Sequence, residues 1–279
     1  MRRAPLRIAV VDGRDPCPIA EDLAAGLAAR GHAARLYRAE PDLDRLMRRL
    51  RTDAPDVVSD HAGDAAVFAA LQEMPSLHTL HVPPRGRLAE ACLGSRAWFA
   101  THSELLALAW RDAGLERVQV LPAAAAEFRR IPAVVRPVAL VADRRGAAAA
   151  LRAGLGIALL RERAPRDELG RSLAHAAVYI AGASGGFDFL AARAQLAGCP
   201  VVGDAGAPLA ELVEEGVSGL LVAPGDAPAL AAAARRAAAL DRHAVRASAR
   251  RRLALEPMLA RYESELRAIA RRSAVRLVA

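Results

Sequence analysis

The chain contains no lysine: all 39 of its basic residues are arginine, set against 31 acidic residues for a formal net charge of +8. Chemistry that needs an amine is therefore excluded, including a Schiff base, the phosphate-loop lysine of Walker-type sites and the kinase lysine. Aromatic residues are scarce, at 4%. The core has to be built from leucine, valine and alanine, and alanine alone is about a quarter of the chain, which favours helices packed closely on a flat sheet. Cysteine is limited to Cys17, Cys92 and Cys199. An odd number with no C-x-x-C argues for a reducing compartment, without disulfides or a structural zinc site. No apolar run approaches about 18 residues free of charge, so no transmembrane helix is expected. Arg7, Asp12 and Arg14 interrupt any signal-peptide core.

What is present is a globular composition over 279 residues, enough for two modest domains or one large one. The positive balance suits an anionic partner such as a phosphorylated ligand, an acidic membrane face or nucleic acid, and equally a solvated arginine-rich surface. Aromatic and basic residues are not interleaved as in single-strand binders, so nucleic acid is not expected.

Short apolar runs alternate with helical periodicity along the whole chain. Leu6 to Val11, Ala33 to Tyr37, Val57-Val58, Leu77 to Leu80, Ala97 to Ala100 and Val118 to Leu121 read as strands. Ile19 to Arg30 reads as a helix stopped at Gly31, and Asp42 to Arg51 as a helix with Leu43, Leu46, Met47 and Leu50 on one face. Arg129 to Pro137 carries two prolines and no clear period, and reads as a linker. A second series follows at Val138 to Val141, Ile157 to Leu160, Val178 to Ile180, Val201-Val202 and Leu220 to Val222, with helices at Asp226 to Leu240 and Pro257 to Arg272. Repeated βα alternation implies open parallel sheets covered on both faces. The expected architecture is α/β: two Rossmann-like domains, 1–132 and 133–279, facing across a cleft at the carboxyl ends of both sheets.

Three stretches in the second half carry a resemblance. Gly186-Phe187, then Ala194 to Val202 (AQLAGCPVV), then Ala210 to Asp226 (AELVEEGVSGLLVAPGD) resemble the signature of GT-B glycosyltransferases of the family 4 type. That signature reads E-G-F-G, E-A-M-A-x-G-x-P-V-V and P-E-V-V-x-D-G-x-x-G-L-L-V-x-P-G-D. In the first half, Gly31-His32 is similar to the family's R-G-H, Pro55 to Val58 to the strand before its first cleft loop, Thr79-Leu80-His81 to its T-x-H, and Ser103 to its serine after a later strand.

The resemblance implies retaining transfer of a sugar from a nucleotide-sugar donor to an acceptor. The first domain lies on the acceptor side, the second on the donor side, and the terminal helix crosses back towards the first. Cations and backbone N–H groups stabilise the diphosphate leaving group, and acidic side chains accept from ribose and sugar hydroxyls. It assigns His81 to the transferred sugar as the catalytic contact. Donor binding goes to Arg144, Arg145, Ser184, Gly185, Gly186, Phe187, Asp188, Arg193 and Glu211. The nucleotide sugar is a co-substrate, and no metal or other cofactor is expected. Several positions depart from the pattern. The family's two glutamates fall at Gly185 and Arg193, the second glycine of E-G-F-G is Asp188, its Asn-Gly falls at Ala123-Ala124, and Arg145 stands where the family has lysine. These departures fit a second reading, a catalytically degenerate homologue that binds a ligand or partner.

Other readings compete for the same residues. Gly182, Ser184 and Gly186 form G-x-S-x-G between a strand and a helix, the context of a nucleophile elbow, with Asp204 or Asp226 and then His243 completing a serine-hydrolase order. His32, His61, His78, His102 and His175 show no metal-ligand spacing and read as surface or structural positions. The helix at Asp42 to Arg51 opposes its apolar face with Arg45, Arg48, Arg49 and Arg51. That suits either a sheet-covering helix with a solvated face or a peripheral contact with anionic lipid. The expected location is cytoplasmic, in solution or peripherally at the inner membrane face.

Overall fold

The computed structural model describes residues 4–13, 17–39, 42–125, 134–159, 166–182, 186–206 and 208–278. The chain divides into two compact units, Met1–Ala123 with Leu255–Ala279, and Ala124–Ala254.

The first unit runs β1 (Arg7–Asp12), α1 (Pro18–Ala29), β2 (Ala33–Arg38), α2 (Leu43–Asp53), β3 (Val57–His61), α3 (Ala65–Ala70), β4 (Ser76–Thr79), α4 (Gly86–Cys92), β5 (Trp98–Thr101), α5 (Glu104–Asp112) and β6 (Val118–Val120). The strands order as β2-β1-β3-β4-β5-β6, and every pair is parallel. Helices on both faces explain why β1 reads as an unbroken apolar run, with Ile8 to Val11 all buried; β3 opens with the buried Val57 and Val58 and goes on to the buried polar residues Ser59, Asp60 and His61. The chain steps from β1 outward to β2 and returns to β3 on the other side. The topological switch therefore lies between β1 and β3, where ligand crevices form in open α/β sheets.

Local signals set the helix ends. Asp42 caps α2 by accepting from the Arg45 N–H at 3.0 Å, and Ser103 caps α5 through Leu106 at 3.2 Å. Gly31 follows α1 with φ of +94°, a left-handed conformation that favours glycine. On α2, Leu46, Met47 and Leu50 are buried, while Arg45, Arg48, Arg49 and Arg51 are exposed.

The second unit runs β7 (Arg136–Val141), α6 (Arg144–Arg152), β8 (Gly156–Leu159), α7 (Arg166–His175), β9 (Ala176–Ile180), α8 (Phe189–Leu196), β10 (Val201–Asp204), α9 (Leu209–Leu212), β11 (Gly219–Val222), α10 (Ala227–Ala237) and α11 (Arg242–Arg252). Its five strands order as β11-β10-β9-β7-β8, again all parallel, with the switch between β7 and β9. The expected linker ends earlier than Pro137, because Arg136 and Pro137 already belong to β7; residues 129–133 of it lie outside the described residues. The alanine content shows its use here. Ala149, Ala150, Ala231, Ala233, Ala234 and Ala237 bury small side chains that let α6 and α10 lie close together over the sheet.

The terminal helix, α12 (Leu255–Val278), belongs to the first unit. A Cβ on Gly26 of α1 would lie 2.5 Å from both δ-carbons of Leu259, so α1 and α12 meet closely there and a larger residue would require Leu259 to shift. Arg30 pairs with Glu256 and, at 2.8 Å, with Glu263. Burial opposes ionisation of Glu263, but hydrogen bonds from Arg30, Arg267 and His32 prevail and pull its carboxyl down to about 2.

Candidate active site

In the first unit, residues at the carboxyl ends of successive parallel strands converge on one place. Asp12 ends β1, Cys17 precedes α1, His61 ends β3, His81 follows β4 and His102 follows β5. The three imidazoles stack in series, with centroids 5.4 Å apart for His61 and His81 and 5.5 Å for His81 and His102. His61 Nδ1 lies 3.3 Å from His81 Nε2, and Cys17 Sγ lies 3.6 Å from that same nitrogen. Ser59 Oγ reaches His61 Nε2 at 3.0 Å. Tyr262 of α12 closes the group: its hydroxyl is 3.2 Å from Thr79 Oγ1 and 3.3 Å from His102 Nε2.

Burial governs the protonation of this cluster. Desolvation, with His102 adding repulsion, pushes the His61 imidazolium down to about 3. Desolvation also brings His102 to about 4, against hydrogen bonds at Leu121 and Pro122 that favour its charged form. His81 is held well below the ordinary histidine range by burial, then by His61 and His102. All three imidazoles are therefore neutral near pH 7, and each can both donate and accept. Asp12 is buried; desolvation raises its carboxyl, while its Oδ1 accepts the backbone N–H groups of Cys17 at 2.8 Å and Gly13 at 2.9 Å.

In the second unit, the expected diphosphate-binding residues fall at the switch between β7 and β9. Asp143 caps α6 by accepting from the Gly146 N–H at 2.8 Å. A Cβ on Gly146 would lie 3.2 Å from Ile180 Cγ2, so glycine lets the start of this helix lie close on the strands. Arg144 is exposed on the first turn, and Arg145 beside it is half-buried. Asp204, at the end of β10, receives both ends of the Arg145 fork, at 2.5 and 2.8 Å. The buried Arg145 Nε has no hydrogen-bond partner among the described residues.

The remaining expected donor residues are spread over this unit. Ser184 and Gly185 lie outside the described residues. Gly186 is half-buried, and Phe187 is buried against Phe189, with centroids 4.8 Å apart. Asp188 caps α8 through the Ala191 N–H at 2.9 Å and accepts from the Tyr179 hydroxyl at 3.0 Å. Burial raises the Asp188 carboxyl, and burial together with Asp188 raises the Tyr179 hydroxyl. Arg193 is buried in α8, and Glu211 is exposed on α9. Neither acid of the hydrolase reading is free for a triad role: Asp204 holds Arg145, and Asp226 caps α10 through Ala229.

Comparison with known proteins agrees with this architecture. Residues 113–239 match the family described as glycosyl transferases group 1. No curated protein matches the chain in sequence. Among solved structures, one of Anabaena Alr3699/HepE in complex with UDP-glucose is similar at a TM-score of 0.71 and 16% identity, covering 94% of this chain and 100% of that one. AviGT4, a glycosyltransferase involved in avilamycin A biosynthesis, is similar at 0.68 and 20% identity over 95% and 98% of the two chains. A sucrose-phosphate synthase from Thermosynechococcus elongatus follows at 0.66 and 16% over 98% of each. The chain has the GT-B glycosyltransferase fold. Within this GT-B chain, Arg144, Arg145 and Gly186 to Asp188 belong to one switch point and His81 to the other unit's cluster. Among the described residues, no helix of the GT-B chain is long and apolar enough to cross a membrane.

Sequence reasoning missed Cys17, His61, His102 and Tyr262 as companions of His81. A signal was present: His61, His81 and His102 each stand at or just after the end of a strand, and neighbouring parallel strands bring such ends together.

Proposed function

We propose that this chain transfers a sugar from a nucleotide-sugar donor to an acceptor, with retention at the anomeric carbon. The observation that carries the reading is Arg145. It stands on the first turn of α6 at the β7/β9 switch, fixed by Asp204, with a buried Nε–H to spare. A guanidinium beside helix N-terminal amides suits a diphosphate, whose charge grows as the glycosidic bond breaks. Arginine is the only cation type that the chain offers for this task. In this reading Arg144 and Arg145 hold the diphosphate. Residues 184–188 hold the phosphate and sugar, with Arg193 and Glu211 completing the donor side. The neutral His81 meets the sugar through one ring nitrogen. Support comes from the family match over residues 113–239 and from the fold shared with a protein solved in complex with UDP-glucose.

A second reading, ligand binding without turnover, is favoured by one observation. Arg193 is buried at one glutamate position of the family pattern, and Gly185 lacks a carboxylate at the other. Incubation with UDP- and GDP-sugars, scored as enzyme-dependent release of nucleoside diphosphate and as the anomeric configuration of any product, separates the two. Release with a retained anomer supports transfer. Binding without release supports the second reading, and activity gained on Gly185→Glu with Arg193→Glu would identify a degenerate transferase.

The exposed arginines of α2 give the chain one further contact in this proposal, with an anionic membrane surface. Because Leu46, Met47 and Leu50 are already in the core, α2 has no apolar face to insert, and the contact is electrostatic.

A further inference from the structure

The cluster in the first unit has a geometry that sugar transfer does not require. Cys17 Sγ, His61 Nδ1 and His81 Nε2 all lie within 4.8 Å of one another. His61 and His81 are separated by 20 positions in the chain, and Cys17 and His81 by 64, so no local spacing announces them. A tetrahedral zinc centre has bonds of about 2.05 Å to nitrogen and about 2.3 Å to sulfur, which sets its N···N edges at about 3.3 Å and its N···S edges at about 3.6 Å. The observed His61–His81 and Cys17–His81 separations are 3.3 and 3.6 Å.

We propose that Cys17, His61 and His81 form a site for a zinc-class divalent cation, with the fourth coordination position open. This reverses the expectation, drawn from spacing along the chain, that no metal is involved. The shell behind two of the ligands, His61 and Cys17, fits. Ser59 Oγ can accept the Nε2 proton of His61, which leaves the Nδ1 lone pair directed at the centre. Asp12 holds the backbone N–H of Cys17 at 2.8 Å and so fixes the residue that carries the thiol. Cys17 and His61 are buried and His81 is partly so, which withdraws most of the ligand set from bulk water. Binding forms one Zn–S and two Zn–N bonds and releases the thiol proton to solvent, leaving a centre of net charge +1 that takes water or an anionic oxygen at its fourth position. A ligand set of one thiolate and two imidazoles favours zinc, cobalt or copper over magnesium or calcium. The proposal does not rest on the sugar-transfer reading; a bound ion would take His81 Nε2, and because Nδ1 is buried, Nε2 serves either the ion or the sugar.

The test is cobalt substitution in the full chain after treatment with a chelator. The expected result is one equivalent of Co²⁺ giving intense tetrahedral d–d bands and a sulfur-to-cobalt charge-transfer band, both displaced by one equivalent of Zn²⁺. Cys17→Ser should abolish the charge-transfer band. Ser59→Ala, which spares all three ligands, should weaken Zn²⁺ binding by about 10- to 100-fold. Cys92 and Cys199 serve as internal controls, since burial pushes both thiols up to about 12. Weak octahedral bands, or a charge-transfer band that survives in Cys17→Ser, would overturn the proposal. Circular dichroism of each variant separates loss of a ligand from loss of fold.

Discussion

Acidification tests the buried histidine cluster quantitatively. His61 and His102 bind protons in the unfolded chain below about 6.5 but in the folded protein only below about 3 and about 4. Between those values the unfolded state holds more protons, so stability rises with pH. The full stability is present above about 6.5 and is lost progressively as pH falls, until the folded-state values are reached. At pH 5 the unfolded chain gains about 1.5 pH units of proton affinity per histidine, or about 2 kcal/mol each, and about 4 kcal/mol for the pair. Both tryptophans, Trp98 and Trp110, lie in the first unit, and Trp110 is fully buried, so urea unfolding followed by tryptophan fluorescence reports on that unit. Unfolding at pH 7.5 and pH 5.0, with a chelator present, gives the loss for the wild type. His102→Gln isolates the effect from carboxylate titration. The variant should be less stable at pH 7.5, because it disturbs the contacts to Leu121 and Tyr262, yet lose about 2 kcal/mol less on acidification. Equal losses in the wild type and His102→Gln would refute the burial argument.

Two further outcomes follow from the same packing and charge. Leu259→Ala should lower the stability of the first unit by about 2–5 kcal/mol in the same urea assay, since it removes a buried side chain seated on Gly26; a loss under 1 kcal/mol would mean that α12 does not hold this unit together. Vesicles rich in phosphatidylserine should sediment the protein at low salt and release it near 0.5 M NaCl, at roughly 1 kcal/mol per arginine. The triple variant of Arg45, Arg48 and Arg49 to glutamate should stay in the supernatant, and unchanged sedimentation would place the basic contact elsewhere.

How much of this was legible in the chain depends on the range of the signal. Strand positions were clear where a parallel strand covered on both faces carries an unbroken apolar run, as Ile8 to Val11 and Val138 to Val141 show. Helix ends were clear where Asp42 and Asp226 announce their own caps. Edges were not. Arg136 and Pro137 lack the apolar pattern because they open β7 at an exposed end. The candidate site was legible where it is local: Arg144 and Arg145 fall together before Gly146 on one turn, while the cap that Asp143 supplies to that turn went unread. The pairing of Arg145 with Asp204 spans 59 positions, and the His61–His81–His102 stack joins three strand ends. Such contacts depend on strand order, which composition and periodicity do not contain.

The measurement that bears most directly on function is calorimetric titration of UDP into the full chain and into Arg145→Ala. Saturable binding is expected for the wild type, weakened about 10- to 100-fold in the variant by loss of a charge-assisted contact to the diphosphate. Absence of any heat of binding at millimolar UDP, or an affinity that Arg145→Ala leaves unchanged, would contradict a donor site at the start of α6.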